Sequence, residues 1–111
     1  MHQRWPTTRQ QRAQYEQARL QAADLAANIE SSVASAVESL RISILALQQA
    51  RQASRFFTES VRKEREKFQL GESTVIDQLT IEGLATQADL SLINAQLLYA
   101  TAFVQLRLET A

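Results

Sequence analysis

Cysteine is absent from the 111 residues, proline occurs once, glycine twice, and aromatic side chains make up 6 %. Each shortage excludes something. Without cysteine there is no disulfide framework, no thiolate nucleophile and no Cys-ligated zinc or iron–sulfur centre. A sandwich or barrel needs a turn every ten residues or so, and three breakers cannot supply them. An all-β fold is therefore excluded, and a doubly wound α/β domain is short of turns as well. An excess of one charge is also missing, since 12 Lys and Arg balance 12 Asp and Glu. Phosphate binding needs a net basic face, so no nucleic-acid partner is expected. No apolar run approaches the ~18 residues of a transmembrane helix. The segment from Met1 to Thr8, polar apart from Trp5 and Pro6, holds no signal-peptide core. By itself the chain is expected to be neither exported nor membrane-spanning.

What remains is rich in Ala, Leu, Gln, Glu and Arg, the composition of long helices. From Thr7 to Phe68 there is neither Gly nor Pro. At ~1.5 Å per residue, a continuous helix over that span is ~90 Å long. Thr7 or Thr8, beside Pro6, can serve as its N-cap. The break falls at Gln69-Leu70-Gly71-Glu72-Ser73-Thr74. Gly71 can adopt the positive φ that closes a helix at the C′ position. Thr74 reads as the N-cap of a second helix, with Asp77 at N3 as a variant of the capping box. The expected organisation is a lead segment 1–8, a long helix 9–68, a tip turn 69–74 and a second helix 75–110. The expected fold is all-α: a long antiparallel helical hairpin of coiled-coil type.

Steps of three and four connect Tyr15, Ala18, Ala22, Leu25, Ile29, Ser32, Ala36, Ser39, Ser43, Ala46, Ala50, Ala53 and Phe57 in the first helix. A second line there holds Val33, Val37, Leu40, Ile44 and Leu47. In the second helix, Ile81, Leu84, Ala88, Ser91, Ala95, Leu98 and Ala102 form one line, and Leu90, Ile93, Leu97, Ala100 and Val104 another. A two-helix coiled coil needs one seam per helix. Two seams predict two neighbours per helix, as in a bundle formed by dimerisation or a closed ring of helices. The first helix is also some 25 residues the longer. Its N-terminal overhang, with Tyr15, Ala18, Ala22 and Leu25, is expected to lack a partner within the chain.

Chemistry finds few candidates. His2 is the lone histidine and has no companion for a metal site or a triad. No carboxylate pair marks a pocket, and Gly71 and Gly83 do not make a phosphate loop. The chain is expected not to be an enzyme and to hold no cofactor or metal. The densest charge cluster is Glu59 to Lys67, where Glu59–Lys63 and Arg62–Glu66 have i,i+4 spacing. Residues 51–67 carry six bases against three acids, and residues 68–111 one base against five acids. Antiparallel pairing would set a basic strip beside an acidic one near the tip. That strip is either a solvated face that supports register or a docking surface for another helical protein. Gly83, inside the second helix, either permits close approach of a neighbour or is tolerated drift. Trp5-Pro6 is either an anchor for a preceding strand or a loop.

Lys67-Phe68-Gln69-Leu70-Gly71-Glu72-Ser73-Thr74-Val75-Ile76-Asp77-Gln78-Leu79 resembles the (R/K)-(Y/F)-x-x-G-x-x-(S/T)-x-x-D-x-L turn of TolC-like outer-membrane efflux channels. The stretch from Ala88 to Ala100 is similar to that family's returning helix, and Ile29 to Leu40 to its outgoing one. The likeness extends over roughly residues 9–110. It implies a trimer in which twelve helices form a periplasmic tunnel and twelve strands an outer-membrane barrel. This chain would be the second periplasmic hairpin of a Gram-negative outer-membrane protein, with the barrel strands, first hairpin and export signal outside it. The channel would be a passive conduit in a tripartite efflux or type I secretion system. Its implied partners are further copies of itself, a periplasmic adaptor protein and an inner-membrane efflux transporter. Phe68, Gly71, Ser73, Thr74, Asp77 and Thr80 would form the tip, gate and docking site. Thr80 stands where many members carry an acid and Ser73 where some carry Arg, which puts the family's gate ion pairs in doubt. Two alternatives stand beside this reading: a stand-alone, self-associating helical hairpin module, and the hairpin of a periplasmic adaptor.

Overall fold

The computed structural model describes Trp5 and residues 7–111, so His2 and Pro6 lie outside the described residues. Two helices, α1 (Thr8–Gln69) and α2 (Val75–Thr110), run antiparallel as one hairpin. Helix α1 extends one residue beyond the expected 9–68 at each end. The hairpin is 100 Å long and 25 by 18 Å across, the shape of a single pair of helices. No helix among the described residues is long and apolar enough to cross a membrane.

Of the two threonines available, Thr7 caps α1. Its Oγ1 accepts from the Gln10 amide at 3.2 Å, and the Gln10 side chain accepts from the Thr7 amide at 2.9 Å. Two of the four orphan donors of the first turn are thus satisfied reciprocally. At the other end, Leu70 is the C-cap and Gly71 sits at φ +74°. The Glu72 amide donates to the Lys67 carbonyl at 2.8 Å and the Gly71 amide to the Phe68 carbonyl at 3.1 Å. These two bonds make a complete Schellman motif, which satisfies carbonyls that would otherwise face nothing.

One seam joins the helices. On α1 the seam runs through Val33, Ala36, Leu40, Ser43, Leu47, Ala50, Ser54, Phe57, Val61 and Glu64, in alternating steps of three and four, with Ala46, Ala53 and Ser60 half-buried beside it. On α2 it runs through Gln78, Ile81, Ala85, Ala88, Leu92, Ala95, Tyr99, Ala102, Leu106 and Glu109, in the same alternation, with Glu82 half-buried beside it. This 3.5-residue repeat is the signature of coiled-coil packing. Small side chains occupy its tightest points: Ala36, Ser43, Ala88 and Ala95 are buried.

The expectation of two separate seams on α1 is corrected here. Its two apolar lines are the edges of one broad face, and the contact runs between them. Ala36, Ser43, Ala50 and Phe57 come from one line, and Val33, Leu40 and Leu47 from the other. Ser39, Val37 and Ile44 are left exposed on the flanks. On α2 the outer line is separate, with Leu90, Ile93, Leu97, Ala100 and Val104 all exposed on the side away from α1. The inner line is corrected in part: Ile81, Ala88, Ala95 and Ala102 join the seam, but Leu84, Ser91 and Leu98 are exposed, and Ala85, Leu92, Tyr99 and Leu106, one residue farther on and on neither line, take the second row. The overhang behaves as expected, because every residue from Thr8 to Ser32 is exposed.

Gly83 lies on an exposed part of α2, and a Cβ there would meet nothing within 4 Å among the described residues. Close approach inside the hairpin is therefore not its role. Glycine costs a helix interior ~0.8–1.0 kcal/mol relative to alanine. Gly83→Ala is expected to raise the thermal midpoint of the isolated chain, measured by circular dichroism. A lower midpoint would contradict this packing.

Candidate functional site

The six residues expected at the tip lie on one short arc of chain, from the last turn of α1 to the second turn of α2. Phe68 contributes its carbonyl to the Schellman motif, and the residue is 40 % exposed. Gly71 supplies the left-handed backbone. Ser73, half-buried, turns back and donates its hydroxyl to the Glu64 carboxylate of α1, a bond that ties the loop to the seam. Thr74 caps α2, with Oγ1 accepting from the Asp77 amide at 3.1 Å.

Asp77 sits in the first turn of α2, where a carboxylate favours the positive end of the helix dipole. Only half of the expected capping box forms. Thr74 accepts from Asp77, but the Asp77 carboxylate makes no return bond to the Thr74 amide. Aspartate is one methylene shorter than the Gln10 that closes the box on α1. The Asp77 carboxylate is left exposed to solvent, without an ion pair among the described residues. Thr80 is exposed and donates to the Ile76 carbonyl at 2.8 Å, so its hydroxyl is spent on its own helix.

Behind this arc the charges are arranged differently from the simple i,i+4 reading. Arg62 pairs with Glu66 at 2.5 Å, as expected, but Glu59 pairs with Arg62 and not with Lys63. The guanidinium fork can hold both carboxylates, which a single ammonium on a flexible stem does less readily. Across the helices, Arg65 reaches Glu82 at 3.4 Å; within α2, Gln78 donates to the same carboxylate at 3.5 Å. Ser54 donates to Asp89 at 2.7 Å farther up. These cross-helix bonds, with Glu64–Ser73, were not identified from sequence. The charge polarity of residues 51–67 against 68–111 pointed to their strip, but not to which groups meet.

The hydrogen bond from Arg62 holds the Glu59 carboxyl below its ordinary value near 4.5, and the bond from Arg41 does the same for Glu38. A lowered folded-state value means stabilisation that is present above the unfolded pKa and lost as pH falls through the folded one. Both pairs are open to solvent, so salt screens them. The expected result is a small loss of helicity on acidification from about pH 5 to pH 3, weaker in 1 M salt than at low salt. No change at either salt concentration would show that the pairs are inert.

Compared with known proteins, the chain matches no family model, no curated protein and no solved structure. Its class is therefore defined by geometry: a long two-helix hairpin with a capped tip, an unpartnered overhang and a bare apolar stripe on α2.

Proposed function

We propose that this hairpin is a wall element of the periplasmic tunnel of an outer-membrane channel. In a trimer, copies of it would line a passive conduit, served by a periplasmic adaptor protein and an inner-membrane efflux transporter. No catalysis is assigned to it.

The observation that carries this reading is that α2 is apolar on two opposite sides. One side meets α1, while Leu90, Ile93, Leu97 and Val104 face away from it and are each more than half exposed. A helix apolar all round belongs between two neighbours. A closed ring of helices supplies a second neighbour to every member. The tip adds support, because its Gly71 turn and Thr74 cap fit the residues that carry the resemblance. In a ring, the turns of successive hairpins would gather around one axis. Asp77, in the first turn of α2 and open to solvent, would then repeat by symmetry at the tunnel entrance and favour cations there. Thr80 cannot supply a second carboxylate, so the entrance is expected to be less cation-selective than one that has it.

The reading frame that encodes the chain tests this. Around it should lie amphipathic strands of about ten residues and a second hairpin with a similar Gly turn. A frame without either would reject the tunnel and favour the stand-alone module.

A further inference from the structure

The bare stripe of α2 carries more than a need for cover. Leu90, Ile93, Leu97 and Val104 stand at steps of three, four and seven residues, so the stripe is nearly symmetric about Leu97. Leu90 and Val104 lie seven residues to either side of it. Between residues 83 and 108, α2 has two charged side chains, Asp89 and Arg107, of opposite sign. They are 18 residues apart, about a seventh of a turn beyond five turns of the 3.5-residue repeat, so they lie on the same side of the helix, with Arg107 nearer the stripe, seven residues after Ala100. Their midpoint falls at residue 98, beside the centre of the stripe.

Asp89 is on the edge next to α1, where it accepts from Ser54 through Oδ1, whereas the Arg107 guanidinium lies 5.9 Å over the Phe103 ring of its own helix. Neither is in an ion pair among the described residues.

We propose that this stripe is a homodimer surface, closed by the same stripe of a second copy running antiparallel, with Leu97 on the twofold axis and Asp89 beside Arg107 of the copy. The twofold puts a flank of one helix on the same side as that flank of the other. Arg107 of one copy then stands level with Asp89 of the other to within about two residues, or ~3 Å along the axis. The pair forms twice. Leu90 packs against Val104 of the second copy, and Leu97 against its own equivalent. A parallel twofold carries that flank to the opposite side of the second helix, so Asp89 and Arg107 stay apart and neither ion pair forms. The charge pattern thus specifies both the occupant and its direction.

This contact belongs to the hairpin by itself and does not rest on the tunnel reading: it sets the two tips at opposite ends, whereas in a ring a neighbouring hairpin would take the same face in its place. Sedimentation equilibrium of the full chain at tens of micromolar should give a dimer. Leu97→Asp should return it to monomer while leaving its helicity intact, because Leu97 is outside the hairpin seam. Asp89→Arg and Arg107→Asp should each weaken the dimer about tenfold, and the double exchange should restore it. The chain has no cysteine, so orientation can be read directly. Leu97→Cys should cross-link to its own copy on oxidation, whereas Leu90→Cys, displaced from its equivalent by ~20 Å, should not. A monomer at these concentrations, failure of the double exchange to rescue, or equal cross-linking at both positions would each overturn the proposal. None of those results would touch the flanking-sequence test of the tunnel.

Discussion

Replacing Leu47 with alanine should cost the hairpin ~2–3 kcal/mol, the lower part of the range for a buried leucine. Leu47 is the largest side chain among the buried residues, with 8 % of its surface exposed. It stands between Ser43 and Ala50 on the seam, where its neighbours along α1 are too small to fill the space it would leave. The value belongs at the lower end because the seam is one layer deep, and water can enter a gap from either groove. For a chain of this size each kcal/mol moves the thermal midpoint by about 4 °C, so a drop on the order of 10 °C is expected. Leu97→Ala is the matched control. Leu97 is 63 % exposed, and below the concentration of association its truncation should change the midpoint little. Equal losses at the two positions would mean that the seam has been assigned to the wrong face.

The second large effect is expected at Gly71→Val. At φ +74° an L-residue brings Cβ against its own backbone, at ~1–2 kcal/mol for an ordinary side chain and more for a β-branched one. Space is not the difficulty, since a Cβ there meets nothing within 4 Å among the described residues. The strain is in the backbone, and relieving it breaks the bonds from the Glu72 and Gly71 amides to the end of α1. Gly71→Asn should therefore recover most of the loss, because asparagine tolerates the left-handed region. Thr74→Ala, which removes the cap on the other side of the turn, should cost about 1 kcal/mol. Thermal melts of the three variants check the order Val, then Ala at residue 74, then Asn, from most to least destabilised.

The turn was legible in the sequence because its residues are specialised. A glycine after 60 residues without a breaker, followed three positions later by a threonine, leaves few conformations to choose from. The helices were legible for the same reason, and their ends fall within one residue of expectation. The seam was not fully legible. On α1 apolar or small residues occupy Val33, Ala36, Val37, Ser39, Leu40, Ser43 and Ile44, a face wider than one partner can cover. Steps of three and four can be drawn along either edge of such a face, and only the arrival of α2 selects the middle. On α2 spacing separates the outer line from the seam, but not Ala85, Leu92 and Tyr99 from Leu84, Ser91 and Leu98 one residue before them, which are also apolar or small. At the tip, Asp77 has the place of a capping-box residue but not the length, a distinction that residue class alone conceals. Arg62 and Lys63 are both within reach of Glu59, and sequence spacing does not choose between a three-residue and a four-residue step.

The central claim is that Asp77 and the Gly71 turn stand at the mouth of a conducting tunnel. Planar-bilayer recording on the product of the whole reading frame tests it most directly, with Asp77→Asn set against the unaltered protein and thermal melts run in parallel. The account predicts a channel whose cation preference falls, or whose resting state leaks, when the carboxylate becomes an amide. Loss of stability with unchanged conductance would reduce Asp77 to a helix cap. If Asp77→Asn and Gly71→Val both left conductance, efflux and stability as they were, the placement of the tip at a tunnel entrance would be contradicted.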